Sequence, residues 1–373
     1  MRKLFPLLFL LLAGTVTVFA QGFSTVKFSL NYPTRDVIAP VKVKSGNALP
    51  VSAKQFPSRT GYRFCGWYTS PDCRPEEEWH FGDNGGYNVP ATDSMRVEKS
   101  MTLYAKWVQP TPIRTVDDLD AIPLDLYGWY VLENDLDLSG VANWIPIGEY
   151  EPSYEYAPSE WWKRAFKGVF DGQGHTIRGL RISRLITDKT GLFGAVSNGE
   201  ILNLKLEDSQ LIFTAERPYV APLVGIIEQD TGVAAIRNCH VTGTVIQAHT
   251  TNTQSCFHSF TGLCGGVWGG TLENNFVSGK IEVDVEGNGG GELYMGALAG
   301  EAYNDTRNCT TLFDFTVRFH SPQPADGFRA YIGGLQASAT NVENCTAHGK
   351  ITVTGGAGGG QLFVGGHMCC SAV

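Results

Sequence analysis

The sequence predicts an all-β protein, with a small sheet domain in its N-terminal part and a parallel β-helix after it. Three observations lead to this prediction. Glycine is frequent, at 44 of 373 residues, while charged residues make up only 18%. An asparagine motif recurs at spacings of 34 to 36 residues. The apolar segments between turns are short and have no helical period, which is typical of strands.

Residues 1–20 have the pattern of a secretory signal peptide. Arg2 and Lys3 precede an apolar run from Leu4 to Val18, and Ala20 places a small residue before the expected cleavage point. Such a segment is removed on export. We therefore expect an exported protein, at the cell surface, in the cell envelope or outside the cell, with no transmembrane segment in the mature chain.

The charge of the mature chain bears on its partners. Without Arg2 and Lys3, 27 basic and 37 acidic residues remain, a net charge of −10. Because nucleic-acid binding depends on neutralising phosphates with Lys and Arg, an acidic chain is not expected to bind nucleic acid.

Residues 23–108 predict the small sheet domain. Apolar and polar residues alternate at 26–30, 62–68 and 101–107, with turn residues between these segments. The large aromatic residues Trp67, Tyr68, Tyr104 and Trp107 are expected to supply much of its core, since a small domain depends on large side chains for burial.

Two segments carry a family resemblance. The turn and strand at 57–68, PSRTGYRFCGWY, and the closing strand at 103–107, LYAKW, resemble the Listeria–Bacteroides repeat, the internalin-B type of surface repeat. The resemblance covers nearly all of 23–108. It implies a β-grasp-like module of bacterial surface proteins that acts as a spacer or an adhesion unit.

A linker and a repeat domain follow. Residues 109–114 begin with Gln109-Pro110-Thr111-Pro112 and predict a short stiff linker. Thr115 then offers an N-cap for a brief helix. From 115 to 373 the chain repeats, and one asparagine marks each unit: Asn203, Asn238, Asn274, Asn308 and Asn344, spaced 35, 36, 34 and 36 residues apart. We expect one coil of a β-helix per unit, with these amides stacked in a structural ladder.

Glycine-rich strands precede the asparagines, as in GLFG at 191–194 and GLCGG at 262–266. Glycine is expected at corners where φ is positive. The units resemble the GLUG motif, which implies a right-handed parallel β-helix over 115–373 in a Bacteroides-type secreted surface or adhesin-like protein. In IgA-cleaving metallopeptidases such units lie beside the catalytic part, and only that accessory part is matched here.

The nine cysteines suggest two arrangements. Cys65 and Cys73 lie eight residues apart and form the most plausible disulfide of an exported chain. Cys239, Cys309 and Cys345 recur at one position of the repeat, which favours stacked interior thiols.

We find little sign of catalytic chemistry. The chain lacks a His-Glu-x-x-His zinc motif, and no catalytic residue, metal or cofactor is predicted. Asp135, Asp137 and Asp171 with His175 could face a groove of the kind that glycosidases use, but aspartates in such turns ordinarily bond the backbone. A cluster of His249, Cys256, His258 and Cys264 is better explained as a loop and core thiols than as a metal site.

The insertion at 149–165 has five aromatic residues and no regular period. Long loops of this kind often carry binding function, so we list as ligand-binding candidates Tyr150, Tyr154, Tyr156, Trp161 and Trp162. The alternative is that Trp161 and Trp162 cap an open end of the β-helix.

These observations favour a secreted or cell-surface, non-catalytic binding or adhesion protein that contacts a host glycan or a matrix protein. A polysaccharide-processing β-helix enzyme is the alternative, and a passive spacer or display scaffold is a second one. Convergence of three or more charged groups in a surface groove would favour the enzyme.

Overall fold

The computed structural model describes residues 22–79, 81, 95–148, 164–183, 189–215, 219–229, 233–251, 256–286, 290–320, 328–355, 360–366 and 368–371. The chain divides into two compact units near residue 106, and residues 56–65 group with the second unit.

One mixed sheet forms the N-terminal part of the chain, and most of its residues belong to the first unit. Its strands are β1 (Phe23–Ser29), β2 (Ile38–Lys44), β3 (Arg63–Tyr68) and β4 (Met101–Val108). Their order is β2-β1-β4-β3, with β1 antiparallel to β2 and parallel to β4. Two central parallel strands flanked by outer strands agree with the predicted β-grasp-like sheet.

The aromatic residues of this sheet divide between two environments. Trp67 and Tyr68 are fully buried, and Trp67 packs edge to face against Phe28 with ring centroids 4.8 Å apart. Tyr104 and Trp107 are only half-buried, because the alternation of β4 directs Leu103 and Ala105 into the core instead.

The remaining described strands form a parallel β-solenoid. In chain order they are β5 (Pro110–Ile113), β6 (Trp129–Leu132), β7 (Leu136–Asp137), β8 (Val169–Asp171), β9 (Thr176–Arg178), β10 (Arg181–Ile182), β11 (Lys189–Thr190), β12 (Phe193–Ser197), β13 (Glu200–Leu202), β14 (Lys205–Glu207), β15 (Gln210–Ala215), β16 (Tyr219–Val220), β17 (Val224–Glu228), β18 (Ala235–Arg237), β19 (His240–Thr251), β20 (Cys256–Thr261), β21 (Cys264–Glu273), β22 (Phe276–Glu286), β23 (Gly291–Gly296), β24 (Ala299–Arg307), β25 (Thr310–Phe319), β26 (Phe328–Gly333), β27 (Gln336–Ala339), β28 (Asn341–Glu343), β29 (Thr346–His348), β30 (Ile351–Thr354), β31 (Gln361–Gly365) and β32 (Met368–Ser371). The one described α-helix is α1 (Val116–Asp120), and 3-10 turns lie at Val51–Ala53, Pro75–Glu77 and Ile122–Leu124.

Among the described residues these strands stack into three parallel sheets. A ten-stranded sheet contains β19, β22 and β25, a six-stranded sheet contains β20, β23 and β26, and a twelve-stranded sheet contains β21, β24 and β27. The coils between β8 and β31 each contribute to all three sheets. The predicted fold class, all-β with a small sheet before a parallel solenoid, is confirmed.

The solenoid core is a set of apolar columns. Ile177, Leu206, Val241 and Val277 are in register on four successive coils and have no exposed surface. Successive coils in such a sheet lie about 4.8 Å apart, so like positions pack directly on one another. This stacking explains why the apolar positions of the sequence recur with the repeat.

The repeated asparagines occupy a left-handed corner. The five share φ values between 51 and 54°: Asn203, Asn238, Asn274, Asn308 and Asn344. The Nδ2 of Asn238 donates to the Oδ1 of Asn203 at 3.0 Å, and the Nδ2 of Asn274 donates to the Oδ1 of Asn238 at 3.2 Å. These bonds join three of the predicted ladder residues, and Asn203 extends the chain of bonds to Asp171. Asn308 and Asn344 share the backbone conformation.

Glycine has two different roles in the solenoid. Gly243 and Gly349 have positive φ, as expected, but the most regular left-handed corner is made by asparagine. Gly265 has another role. A Cβ there would overlap the carbonyl oxygen of Gly225 and come within 3.0 Å of the Val220 nitrogen, so the six- and twelve-stranded sheets meet backbone to backbone. Close approach, rather than φ, requires glycine at this position.

Residues 109–114 are not the predicted linker. β5 pairs in parallel with β6, with Thr111 opposite Tyr130, and it begins the twelve-stranded sheet. Pro110 and Pro112 are tolerated because β5 is an edge strand, where a missing N–H leaves no inner ladder bond unmade. The predicted brief helix is present as α1, and Thr115 caps it: its hydroxyl accepts from the Asp118 amide at 3.1 Å.

Candidate functional site

A charged groove lies on the outer face of the ten-stranded sheet. It has a volume of about 450 Å³ and is lined by Ile212, Phe213, Thr214, Gln247, Ala248, His249, Glu282 and Asp284. This volume is within the range of small-ligand sites. We call this region the charged groove.

Strand alternation places these side chains. On β22, Ile281, Val283 and Val285 are buried, while Glu282 and Asp284 between them face outward. Successive side chains of a strand point to opposite faces, so one strand supplies both the core and the groove.

Register then aligns the outward residues into two columns. One column is Ile212, Gln247, Glu282, Thr316 and Thr352. The other is Thr214, His249, Asp284, Arg318 and Thr354. The columns run along the solenoid axis. Consequently the groove changes in chemistry from coil to coil, beginning with Ile212, whose surface is 48% exposed.

Arg318 holds the two carboxylates of the groove together. Its Nη2 lies 3.1 Å from the Oε2 of Glu282, and its Nη1 lies 3.5 Å from the Oδ1 of Asp284. Lys280 approaches the Oε1 of Glu282 at 3.1 Å, and the Nε2 of His320 lies 3.0 Å from the Oδ1 of Asp284. The groove is therefore an interlocked network of both signs of charge.

The network sets the protonation of its carboxyl groups. Hydrogen bonds from Arg318 and Lys280 lower the pKa of Glu282. Partial burial raises the pKa of Asp284, but the hydrogen bond from His320 and the charge of Arg318 outweigh it, so the net shift is downward. Both groups are anionic at neutral pH, and neither is a proton donor.

A second outward feature is a stack of aromatic rings on the six-stranded sheet. Ring centroids are 4.8 Å apart for Phe257 and Tyr294, 4.9 Å for Tyr294 and Tyr331, and 5.1 Å for Tyr331 and Phe363. The planes of these pairs differ by 29°, 25° and 9°. The rings cover one another's faces, so the stack stabilises the coils and offers few ring faces to a sugar.

The predicted ligand-binding residues lie outside the described residues: Tyr150, Tyr154, Tyr156, Trp161 and Trp162. Their role stays a prediction.

The turn aspartates bond to nearby backbone and side-chain groups. The Oδ1 of Asp135 accepts from the Thr176 amide at 2.8 Å and lies 3.3 Å from the Nδ1 of His175. Asp137 accepts from the Ser139 amide at 2.9 Å. These backbone bonds are the first cause of the lowered pKa of Asp135, while for Asp137 the hydroxyl of Ser139 comes first. These bonds stabilise the turns. A general acid needs a carboxyl group with a raised pKa, and the pKa values of Asp135 and Asp137 are lowered instead.

The structure contradicts the predicted disulfide and agrees with part of the stacked-thiol prediction. Cys73 is a free thiol whose Sγ lies 3.8 Å from the Ala105 carbonyl oxygen, so the predicted disulfide with Cys65 is not formed. The Sγ of Cys65 instead lies 3.9 Å from the carbonyl oxygen of Arg63 on the same strand. Of the three predicted interior thiols, Cys239 and Cys309 are fully buried, whereas Cys345 is only half-buried.

Metal ligation finds no support in the described part of the chain. Within it, no group of three or more His, Cys, Asp and Glu side chains is placed to hold a metal ion. His258, from the cluster considered above, is buried and lies 2.8 Å from the Thr250 hydroxyl through its Nε2. It is therefore a core histidine with a local partner.

Sequence reasoning missed the charged groove. Its lining residues come from three coils, with Arg318 on a fourth, and they show no local motif. One signal was available: Ile212, Gln247, Glu282 and Thr316 are 35, 35 and 34 residues apart, close to the asparagine period. Reading polar positions at that period would have brought the columns together.

Comparison with known proteins finds a repeat-domain family that matches the N-terminal part of the chain. Residues 25–106 match the Listeria-Bacteroides repeat domain. This supports the predicted identity of the N-terminal domain.

Two individual proteins are similar to parts of the chain. A stretch of 119 residues is 31% identical to halomucin of Haloquadratum walsbyi (strain DSM 16790 / HBSQ001), covering 31% of this chain and 1% of halomucin. The chain thus spans about 1% of the length of the curated relative it matches. A solved structure of a candidate immunoglobulin A1 protease from Bacteroides ovatus aligns with a TM-score of 0.38 at 15% identity, over 69% of this chain and 84% of that one. Of the helices in the described residues, none combines the length and apolar character needed to cross a bilayer.

Proposed function

We propose that this is an exported cell-surface protein whose solenoid binds a glycan chain in the charged groove without cleaving it. The observation that carries the proposal is the pair of outward columns, which place hydrogen-bonding side chains in a line along the solenoid axis. Export is supported by the signal-peptide pattern of residues 1–20. A surface location is supported by the Listeria-Bacteroides repeat and by the similarity of one segment to halomucin. The resemblance to GLUG units fits the same kind of protein.

The groove suits a hydroxyl-rich polymer. Gln247 offers both a donor and an acceptor, Thr214 offers a hydroxyl, and His249 offers a ring nitrogen. Ile212 adds an exposed apolar surface against which the carbon face of a sugar ring can rest. Mixed polar and apolar lining is typical of small-molecule sites.

Carboxyl protonation favours binding over cleavage. Glycoside hydrolysis needs one protonated carboxyl as the general acid and one carboxylate. In the groove the pKa values of both Glu282 and Asp284 are lowered by their cationic neighbours. Polysaccharide cleavage stays the second candidate, because these two carboxylates, with Arg318 and two histidines nearby, do converge in one groove.

A glycan array probed with the purified secreted chain tests the proposal. Gln247→Ala removes a groove side chain, while Gln210→Ala removes an exposed glutamine from the same sheet outside the groove lining. Loss of one or two hydrogen bonds predicts that Gln247→Ala weakens binding about tenfold, with Gln210→Ala unchanged.

Three outcomes would contradict the proposal. The chain could bind no glycan above background, or the two variants could lose binding equally. Release of new reducing ends or unsaturated products from a bound glycan would instead support the cleavage candidate, and Asp284→Asn should then abolish that release.

The aromatic insertion is a separate proposed contact. If Trp161 and Trp162 touch the ligand, the double alanine variant should lose glycan binding while keeping its thermal stability. Unchanged binding with a large loss of stability would identify these residues as a cap of the solenoid.

A further inference from the structure

One interior column of the solenoid carries the thiols. Its members each follow a left-handed asparagine: Leu204, Cys239, Asn275, Cys309 and Cys345. The column alternates in chemistry, because Asn275 separates Cys239 from Cys309, while Cys309 and Cys345 are direct neighbours on successive coils.

Register fixes the distance between these neighbours. Arg307 pairs with Glu343 before them, and Thr310 pairs with Thr346 after them. The Cα atoms of Cys309 and Cys345 are therefore about 4.8 Å apart, the spacing of adjacent strands. A disulfide needs Cα atoms roughly 4.4–6.8 Å apart.

The sulfur of Cys345 also contacts the backbone of Cys309 in the structure. The amide of Cys309 donates to the Sγ of Cys345 at 3.4 Å. Both sulfurs are free thiols. Cys309 is fully buried and Cys345 is half-buried, so an oxidant can approach the pair from the Cys345 side.

We propose that Cys309 and Cys345 form an inter-coil disulfide when the protein meets a small-molecule disulfide such as oxidised glutathione. The thiolate of Cys345 attacks one sulfur of the oxidant, the oxidant S–S bond breaks, and one thiol leaves. Cys309 then gives its proton to solvent, its sulfur attacks the Cys345 sulfur, and the second thiol leaves. The two protein thiols lose two electrons, and the oxidant is reduced to two thiols.

The thiol chemistry supports this order of attack. The hydrogen bond with Cys309 lowers the pKa of Cys345, which increases the fraction of this thiol present as the reactive thiolate. The same bond, together with burial, raises the pKa of Cys309. Burial raises the pKa of Cys239 to about 12, which makes that thiol unreactive.

Asn275 explains why Cys239 is not a competitor. Its Oδ1 accepts from the Cys239 amide at 3.0 Å, and its Nδ2 donates to the Ile236 carbonyl oxygen at 2.9 Å. The Asn275 side chain occupies the column position on the coil between those of Cys239 and Cys309. Cys239 therefore serves as the matched control, in the same column but without a neighbouring thiol.

Peptide mapping tests the pair directly. The full secreted chain is treated with oxidised glutathione, alkylated and digested with trypsin, which cuts after Arg307, Arg318, Arg329 and Lys350. Cys309 then lies in peptide 308–318 and Cys345 in peptide 330–350, each with a single cysteine. We expect these two peptides to be joined by a reducible link.

Variants make the result decisive. Cys239→Ser should leave the link intact, and Cys345→Ser should abolish it and leave peptide 308–318 alkylated. Oxidation should raise the thermal midpoint of the unmodified chain, reversibly with dithiothreitol, and should not raise that of Cys345→Ser. The proposal is overturned if both peptides stay fully alkylated in the folded chain, or if Cys345 is found joined to Cys369 or Cys370 instead.

Discussion

Replacement of Asn238 tests the physical basis of the solenoid corner. Its φ of 54° is in the left-handed region, and its amide bonds to Asn203 below and Asn274 above. Asn238→Ala removes both side-chain hydrogen bonds. It also leaves an alanine in the left-handed conformation, which its Cβ disfavours and which no side-chain hydrogen bond then stabilises. Asn238→Gly removes the same bonds but has no steric cost there.

The expected magnitudes follow from these two terms. The bonds are solvent-exposed, so we assign about 0.5 kcal/mol to each, or about 1 kcal/mol together. The left-handed conformation costs an alanine roughly 1–2 kcal/mol. Asn238→Ala should therefore lower the free energy of unfolding by about 2–3 kcal/mol. Glycine has more backbone freedom to lose on folding, which costs about 0.5 kcal/mol in addition to the two lost bonds. Asn238→Gly should therefore lower the free energy of unfolding by about 1.5 kcal/mol.

Urea unfolding followed by tryptophan fluorescence and circular dichroism measures both values, and equal slopes across variants would justify comparing them. Equal losses for alanine and glycine would refute the conformational term. No loss in either variant would refute a stabilising role for the amide ladder.

Two further predictions concern packing and pH. Gly265→Ala should lower the free energy of unfolding by more than about 2 kcal/mol, because the new Cβ would overlap backbone atoms. Gly174 has a φ of 80° and open space around it. Gly174→Ala should therefore cost only about 1 kcal/mol in the same urea-unfolding assay. The lowered pKa values of Glu282 and Asp284 add stability above their ordinary values near 4.5 and 3.8 and lose it as pH falls through the still lower folded values. Thermal midpoints between pH 7 and 2 should therefore drop below about pH 4, and Arg318→Gln should flatten that drop; an unchanged profile would contradict the ion-pair assignment.

Much of the architecture could be predicted because each coil has the same structural requirements, so the same residue types recur once per coil in the sequence. A corner that needs one left-handed residue per coil selects Asn203, Asn238 and Asn274 at nearly constant spacing, so the period was visible without structural information. The brief helix was equally local, because Thr115 and Asp118 cap it within four residues. The linker prediction at 109–114 failed because proline content does not distinguish a free segment from an edge strand.

The candidate site was harder to predict for a physical reason. Glu282 and Arg318 meet only because their coils are in register, and neither has a neighbour along the chain that marks a groove. The aromatic rings stacked on the six-stranded sheet have a different role. The rings of Tyr294 and Tyr331 stack face to face on neighbouring coils. Their spacing in the sequence therefore reflects the stacking of coils and not contact with a ligand.

Asn275 has a consequence for how the chain would mature in an oxidising compartment. A cysteine at its level would give a refolding chain three adjacent pairings in the thiol column, and two of them would compete for Cys309. The buried amide removes those choices, and its bonds to Cys239 and Ile236 offset the cost of placing it in an apolar interior. Only one pairing between neighbouring coils of this column is left, so oxidative folding has a single end point there and needs no isomerase to correct it.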